Sequence, residues 1–245
     1  MQCEEKRRKM FEKDLWKKLL AEFVGAFVLV LAVVFPGVAL RDAGLGAFLF
    51  IMFTAGIGYS IVVWMFRDIS GAHANPVVTF ANVLLRKTTI VTGLLYWVAQ
   101  LAGSVVAALY TAATFKVDGT LSSFMGYAVA SPTPGYKDIQ IALAEAAAVF
   151  VLVSVVLAVA QVKEKVSAGL AIGFAMLVAI VMSAPISGGA LNPAREFGVL
   201  FMTKGVFKDT YLWFYLVAPL VGSAVAALVH LVMNEKISLK IASKS

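Results

Sequence analysis

The sequence predicts an all-α membrane protein with six transmembrane helices and two re-entrant half-helices, arranged as an inverted repeat. The 245 residues are 61% hydrophobic and only 14% charged, with a mean hydropathy of +0.89. Apolar runs near twenty residues recur along the chain, and two Asn-Pro pairs interrupt them in equivalent places. A soluble domain carries roughly 25% charged residues. This composition therefore excludes a soluble globular protein, and the abundance of apolar side chains excludes intrinsic disorder.

Six apolar segments are each long enough to cross about 30 Å of hydrocarbon as a helix. They are Leu19–Leu40, Ala43–Phe66, Val91–Phe115, Ile139–Val162, Ser167–Ala184 and Tyr211–Met233. We therefore expect one channel-like domain over 19–233, with repeat one at about 19–115 and repeat two at about 139–233. The polar flanks, 1–18 and 234–245, are expected to form a cytoplasmic N-terminal segment and a cytoplasmic tail.

Basic residues predict the orientation of the spans. With six spans, both termini lie on one side, and that side collects fifteen Lys and Arg residues against five on the other. The positive-inside rule then puts both termini in the cytoplasm of a multi-pass protein, which we expect in the cell membrane. The net charge of +7 is thus explained by membrane orientation, and no nucleic-acid partner is expected.

The two halves of the chain resemble each other in three collinear places. AEFVGAFVL matches AEAAAVFVL, Asn75-Pro76 matches Asn192-Pro193, and GSVVAAL matches GSAVAAL. Each repeat holds three spans and one half-span. An odd number of spans turns the second repeat upside down, an architecture that places a transport site at the bilayer midplane.

The two Asn-Pro segments predict half-helices that enter from opposite faces of the membrane. Each is followed by an apolar stretch of about ten residues, which spans roughly half a bilayer. Asn suits the N-cap of a helix, and Pro suits the first helical position. One Asn-Pro could simply start a surface helix, but two equivalent copies favour a pore. The expected midplane residues are Asn75, Pro76, Val77, Asn192, Pro193 and Ala194.

The chemistry of this midplane favours neutral permeants. Two helix N-termini bring two positive dipole ends together, which opposes a cation. If the Asn side-chain carbonyls cap the helices, the amide N–H groups can point into the lumen as donors. A water held by two donors cannot easily relay a proton. The irregular segments Ser70–Ala74 and Ser187–Leu191 should line the pore through their backbone, with Gly71, Ala72, His73, Gly188 and Ala190 as the lining residues.

Three charged residues lie at membrane depth, where burying a charge costs free energy, so we expect each of them to have a specific structural or functional role. Glu22 and Glu145 occupy the same repeat position and are expected to accept N–H bonds from the re-entrant loops, a proton or ion pathway being the alternative. Arg195 is expected to face the pore as a cation-repelling donor. The alternatives for Arg195 are an ion pair with Glu196 and a side chain that snorkels to the membrane surface. The ion pair is disfavoured because adjacent residues on a helix do not face each other.

Other functional classes find less support in the sequence. Cys3 is the single cysteine and His73 has no companion ligands, so neither a metal site nor another cofactor is expected. We see no nucleophile–base set, and we expect no enzyme activity. Two rivals remain: a secondary transporter built on inverted repeats, and a non-conducting membrane interaction protein on the same scaffold.

The loops SGAHANP and SGGALNPAR, with Ala-Glu near the start of each half, resemble the aquaporin or major intrinsic protein family over about 19–233. The resemblance implies a six-helix bundle with two half-helices, a homotetramer in the lipid bilayer, and one pore per subunit. Such a pore passively conducts water and, in some branches, small neutral solutes such as glycerol. It also implies that Asn75 and Asn192 are midplane donors, that Arg195 is the filter arginine, and that Glu22 and Glu145 anchor the loops.

The same resemblance assigns the rest of the selectivity filter. Counting without gaps gives Gly189, Ile180 and Ala55, with Phe53 as the alternative to Ala55. Ile180 is similar to the archaeal branch of the family. The filter has no His and, with Ala55, no aromatic residue. We therefore expect it to be wider than a strict water filter and to admit glycerol-sized solutes.

Overall fold

A computed structural model describes residues 2–40, 42–115, 130–201 and 212–234 of the chain. These ranges contain eight helices, which we number in chain order. They are α1 (Gln2–Ala39), α2 (Leu45–Ser70), α3 (Pro76–Leu84), α4 (Ile90–Thr114), α5 (Asp138–Val159), α6 (Lys165–Ser187), α7 (Pro193–Leu200) and α8 (Leu212–Asn234). The tail beyond 234 and the basic residues at 41, 116, 204 and 208 lie outside the described residues.

The six long helices confirm the predicted membrane spans. Each contains an apolar window long enough to cross a bilayer. The helix bounds agree with the sequence to within a few residues except at the start of α1, which begins at Gln2 and not near Leu19. Ser70 and Ser187, which were expected to begin the irregular segments, are instead the last residues of α2 and α6. The helices end there because Gly71 and Gly188 follow in the left-handed conformation, with φ of 93° and 82°.

The two repeats interlock in one bundle. Within the repeats, α1 packs along α4 and α5 packs along α8, while α2 and α6 pack against each other across the repeat boundary. The half-helices are exchanged: α3 packs against α8, and α7 packs against α4. Each half-helix is therefore supported by the last long helix of the opposite repeat, and the irregular segments before both half-helices lie inside the bundle.

Equivalent glycines allow the closest helix approaches in each repeat. A Cβ at Gly103 would overlap the carbonyl oxygen of Phe23, and a Cβ at Gly222 would overlap that of Ala146. These contacts join α4 to α1 and α8 to α5. Small residues let membrane helices pack backbone against backbone, which explains why the GSVVAAL and GSAVAAL segments match.

Candidate functional site

The tips of the two half-helices meet in the middle of the bundle. Asn75 caps α3 by accepting a hydrogen bond from Val77 N (3.1 Å), and Asn192 caps α7 by accepting from Ala194 N (3.0 Å). Asn75 Nδ2 donates to the carbonyl of Leu191 (3.0 Å) in the opposite loop. Asn192 Nδ2 donates to the carbonyl of Ala74 (3.1 Å), so each asparagine ties its own helix to the other loop.

These cross-links change one expectation. The asparagine amides were expected to offer their N–H groups to the lumen, but one N–H of each amide binds a backbone carbonyl. An amide nitrogen carries two hydrogens, so each amide keeps a second N–H beside the one in the cross-link. Pro76 and Pro193 occupy the first helical positions as expected, where the missing N–H costs nothing.

The two carbonyls that receive the asparagines belong to residues in a strained conformation. Ala74 has a φ of 48° and Leu191 a φ of 55°, both in the left-handed region that non-glycine residues seldom adopt. Both side chains are fully buried. Backbone strain of this kind persists only where the surroundings fix it. Here the surroundings are the two asparagine cross-links and the carboxylates described next.

Glu22 of α1 receives four hydrogen bonds from its surroundings and is fully buried. Its Oε1 accepts from Ser70 Oγ (2.6 Å) and His73 N (2.9 Å), and its Oε2 accepts from Ala74 N (2.7 Å) and Gln100 Nε2 (2.7 Å). Two of these donors are backbone N–H groups of the first re-entrant loop. The carboxylate thus satisfies donors that no secondary structure serves.

Glu145 of α5 does the same for the second loop. Its Oε1 accepts from Ser187 Oγ and from Ala190 N (2.9 Å), and its Oε2 accepts from Leu191 N (2.9 Å). The carboxylate is fully buried. The hydrogen-bonding geometry therefore repeats in both halves, with one donor fewer in the second.

Three tyrosines for which no role was predicted from the sequence support the loops through their hydroxyls. Tyr59 donates to the carbonyl of His73 (2.7 Å), Tyr96 to that of Ser70 (3.0 Å), and Tyr215 to that of Ser187 (2.6 Å). A buried tyrosine hydroxyl usually finds a partner. The tyrosines could not be assigned because nothing in their sequence neighbourhood names the distant carbonyl that they bind.

Two cavities flank the asparagine junction, one beside each loop. The second-loop cavity has a volume of about 140 Å³, which is enough for several water molecules. Its lining includes the backbone of Gly188, Gly189 and Ala190, together with Ile180 and Arg195. Three of the four predicted filter residues are therefore brought together. Ala72, which was expected to line the pore, is buried and lies outside the lining of both cavities.

The α2 side of the second-loop cavity is formed by Phe48 and Ile51, neither of which was predicted from the sequence. The expectation of a filter without an aromatic residue is therefore wrong, because the Phe48 ring lines this cavity. Ala55 is fully buried one turn deeper on the same helix face as Ile51, because residues four apart are neighbours on a helix. The Phe53 side chain is 52% exposed on the outside of the bundle. Of the two alternatives, Ala55 is therefore the residue directed toward the interior.

Arg195 lines the second-loop cavity and also forms the ion pair that helix geometry had disfavoured. Its Nη1 donates to Glu196 Oε2, and Glu196 in turn accepts from the backbone N–H of Ala130 (3.1 Å). The long arginine side chain can turn back along the first turn of α7, so adjacency does not prevent the contact. The carboxylate of Glu196 is buried, and it partly balances the guanidinium charge.

The first-loop cavity, of about 170 Å³, lies on the other side of the junction. Gly71 and His73 line it from the loop, Asn82 lines it from α3, and Arg67 lines it from the end of α2. The His73 ring lies with Nδ1 3.1 Å from Thr79 Oγ1, so this ring is held within the first half-helix unit. From the sequence, Arg67 was only one of the fifteen basic residues assigned to the side of the termini.

Comparison with known proteins decides the family. The family model for the major intrinsic proteins matches residues 9–230. The chain belongs to the major intrinsic protein family. It is 36% identical over 230 residues to a protein named probable aquaporin TIP2-2 of Oryza sativa subsp. japonica, covering 87% of this chain and 86% of that one. It is 35% identical over 240 residues to aquaporin TIP2-3 of Zea mays, covering 90% of each chain.

A solved structure has the same fold. The aquaglyceroporin from Plasmodium falciparum superposes with a TM-score of 0.79 at 22% identity, over 88% of this chain and 95% of that one. The relatives named above are plant proteins, so the expected likeness to the archaeal branch of the major intrinsic protein family finds no support in them. As a member of this family, the chain is a passive channel for water and small solutes and not an enzyme.

Proposed function

We propose that this channel conducts water and small neutral solutes such as glycerol through the Asn75–Asn192 junction, and that it excludes cations and protons there. The observation that carries the proposal is the reciprocal pair of hydrogen bonds from Asn75 to Leu191 and from Asn192 to Ala74. These bonds hold the N-termini of α3 and α7 tip to tip. Each asparagine keeps one N–H for the oxygen of a permeant molecule.

Exclusion of charge follows from the helix termini. The N-terminal end of each half-helix carries a partial positive charge, and both ends point at the same place. A cation must enter that field after losing part of its hydration. A water that accepts from both asparagines directs its oxygen at them, so a proton cannot easily pass along a continuous chain of waters.

The second-loop cavity supplies the filter. Of the expected set Ala55, Ile180, Gly189 and Arg195, the last three line the cavity, while Ala55 is fully buried one turn deeper on α2. Ile180 offers aliphatic surface, Gly189 offers a backbone without a side chain, and Arg195 offers N–H donors. Phe53 is directed outward, so the aromatic ring that α2 contributes at this level is that of Phe48. A filter of this composition has room for a carbon backbone beside a polar face, which suits a small polyol.

Glu22 and Glu145 serve the pore as loop anchors in this proposal. Each carboxylate binds two consecutive backbone N–H groups of its loop, at His73–Ala74 and at Ala190–Leu191. The bound donors explain the carboxylates without any ion pathway. The residues immediately before each asparagine are thereby fixed, and so are the carbonyls that receive the cross-links.

The test is stopped-flow light scattering of vesicles that contain the purified chain, beside empty vesicles. We expect faster osmotic shrinkage and, with glycerol outside, faster re-swelling than in empty vesicles. Raised water flow with glycerol entry equal to that of empty vesicles would contradict the wide filter. Saturable, gradient-coupled uptake would favour a secondary transporter. Unchanged water flow with tight contacts between membranes would favour an interaction protein.

We further propose that both termini face the cytoplasm, so that the first-loop cavity opens to the cytoplasm, and that four copies assemble as a homotetramer. Protease accessibility of tags at each end tests the orientation, and mass determination in detergent tests the assembly. The sequence led us to expect the cell membrane. Similarity to plant TIP proteins makes the vacuolar membrane the second compartment in which a fluorescent fusion is to be sought.

A further inference from the structure

The first-loop cavity contains a charged group that the pore described above does not use. Arg67 is the only formally charged residue among the described residues that line this cavity, and the rest of the lining is apolar apart from His73 and Asn82. A charge in such surroundings acts more strongly than in water because the local dielectric constant is low. Its influence on a passing solute therefore depends on how the guanidinium is held and on which nearby charges balance it.

One nitrogen of the guanidinium is engaged by the end of α5. Arg67 Nη2 donates to the carbonyl of Ala160 (3.0 Å) and to that of Val162. The last carbonyls of a helix lack intrahelical partners and carry a partial negative charge. The side chain is thereby fixed at the mouth of the cavity, and without it these carbonyls would form a patch that attracts cations.

A second nitrogen of the guanidinium, Nη1, is buried and makes no hydrogen bond to any group in the described part of the chain. A buried donor without a partner is costly, and the cavity beside it is where an oxygen could satisfy it. The nearby carboxylates do not hydrogen-bond to Nη1, although the charge of Glu164 interacts with that of Arg67. Asp68 pairs with Lys165, and Glu164 accepts from the backbone N–H groups of Val166 and Ser167.

From this arrangement we infer that Arg67 is a second selectivity residue, which stands on the opposite side of the asparagine junction from Arg195. Its Nη1 donates to the hydroxyl or carbonyl oxygen of a neutral solute in the first-loop cavity, and its charge repels cations at that mouth. The inference rests on the proposed pore. It adds a cation barrier that is separate from the half-helix dipoles and from the predicted filter.

The experiment measures K⁺ flux from vesicles in an Arg195→Ser background, which weakens the barrier at the other end of the pore. Adding Arg67→Gln is expected to raise K⁺ flux about tenfold or more, since a unit charge at a few ångströms in a low-dielectric cavity shifts cation occupancy by at least that factor. Adding Arg67→Lys is expected to keep the flux low, because the charge stays. Equal flux with and without Arg67→Gln, or equal flux from the Gln and Lys variants, would overturn the inference.

Lys165→Gln in the same background is the matched control. It removes one positive charge near the same mouth, but Lys165 does not line the cavity and its charge is paired with Asp68. We expect no rise in K⁺ flux, and a rise as large as that from Arg67→Gln would contradict a role for the cavity position itself. A role confined to capping α5 would lower the thermal midpoint of Arg67→Gln and leave the K⁺ flux unchanged. Water flow through the unmutated chain tests the proposed function separately from these ratios.

Discussion

The two re-entrant loops are held in place by the same three kinds of side chain. Each loop is held by a buried carboxylate, a serine hydroxyl and a tyrosine. In the first half these are Glu22, Ser70 and Tyr96, and in the second half Glu145, Ser187 and Tyr215. The two sets occupy equivalent places in the repeat. Irregular backbone at membrane depth leaves the same donors and acceptors unsatisfied on both sides, which explains the shared solution.

The halves differ in the other polar groups around the loops. The first half adds Gln100, which donates to both Glu22 and Thr79, and the His73 ring beside Thr79. The second half adds the buried Arg195–Glu196 ion pair. The comparison teaches that the backbone, serine and tyrosine contacts of the anchors are symmetric, whereas the additional polar groups are not. The helix packing can therefore be perturbed equally in both halves, whereas substitutions at the anchors and in the pore should act differently in each.

The largest effect is expected where the repeats are packed most closely. Gly103→Val and Gly222→Val each place a side chain into a backbone carbonyl of the neighbouring helix. Overpacking of a core costs about 1–3 kcal/mol even when side chains can yield, and a backbone carbonyl yields less. We expect neither variant to give a monodisperse peak in detergent chromatography. Gly46→Ala, where nothing lies within 4 Å of the new Cβ, is the control and should behave like the unmutated chain. A monodisperse peak from one of the two valine variants but not from the other would contradict equivalent helix packing in the two repeats.

The next largest effect is expected at the two anchoring carboxylates, Glu22 and Glu145, and it should differ between them. Glu22→Gln places an amide NH₂ opposite two donors, Ala74 N and Gln100 Nε2, whereas Glu145→Gln with the same amide orientation strands only Leu191 N. Each stranded buried donor costs about 1–3 kcal/mol. We therefore expect both variants to lower the thermal midpoint and water flow, and Glu22→Gln to do so more strongly. The reverse order would show that Gln100 turns its amide to accept from the new side chain.

A smaller effect on stability but a larger effect on selectivity is expected at the midplane. Asn75→Asp and Asn192→Asp keep the oxygen that caps the helix, but they replace the donor to the opposite loop with an acceptor. A new negative charge also weakens the barrier to cations. Asn192 lies three residues from Arg195, whose charge offsets the new carboxylate. We therefore expect more K⁺ flux from Asn75→Asp than from Asn192→Asp, and equal flux would contradict the asymmetry described above.

The spans and half-helices were predictable because a bilayer leaves few choices. Backbone groups in hydrocarbon must bond internally, so a long apolar run is read correctly as a helix, as for the segment Val91–Phe115 and the helix Ile90–Thr114. The end of α6 was less predictable. The sequence suggested a stop before Pro185, but the helix continues to Ser187 because a proline in the final turn sacrifices only one backbone bond.

Duplication between the repeats made one part of the site predictable, and the family resemblance supplied Ile180, Gly189 and Arg195 of the second-loop cavity. Asn75 and Glu22 could be singled out through Asn192 and Glu145, because duplication marks them. Arg67 has no such counterpart, and the ion pair of Arg195 depends on a side-chain conformation that residue spacing does not specify. Contacts that join distant segments, such as that between Gln100 and Glu22, follow from how helices cross and leave no pattern in the sequence.

The smallest expected effect concerns how equivalent helices begin in the two repeats. α6 begins after Glu164, whose carboxylate accepts from Val166 N and Ser167 N, whereas α2 begins after Gly44 with no side-chain cap. Hydrogen bonds from Ser167 and then from Val166 lower the pKa of Glu164 from its ordinary value of 4.5. A lowered folded-state pKa means that the stabilisation is present above the ordinary value and is lost as the pH falls through the folded value. Glu164→Gln should therefore lower the thermal midpoint slightly at pH 7. The difference should begin to shrink as the pH falls below the ordinary value of 4.5, and vanish once Glu164 is protonated in the folded protein. A difference that persists unchanged in acid would mean that the charge of Glu164 contributes nothing to the cap.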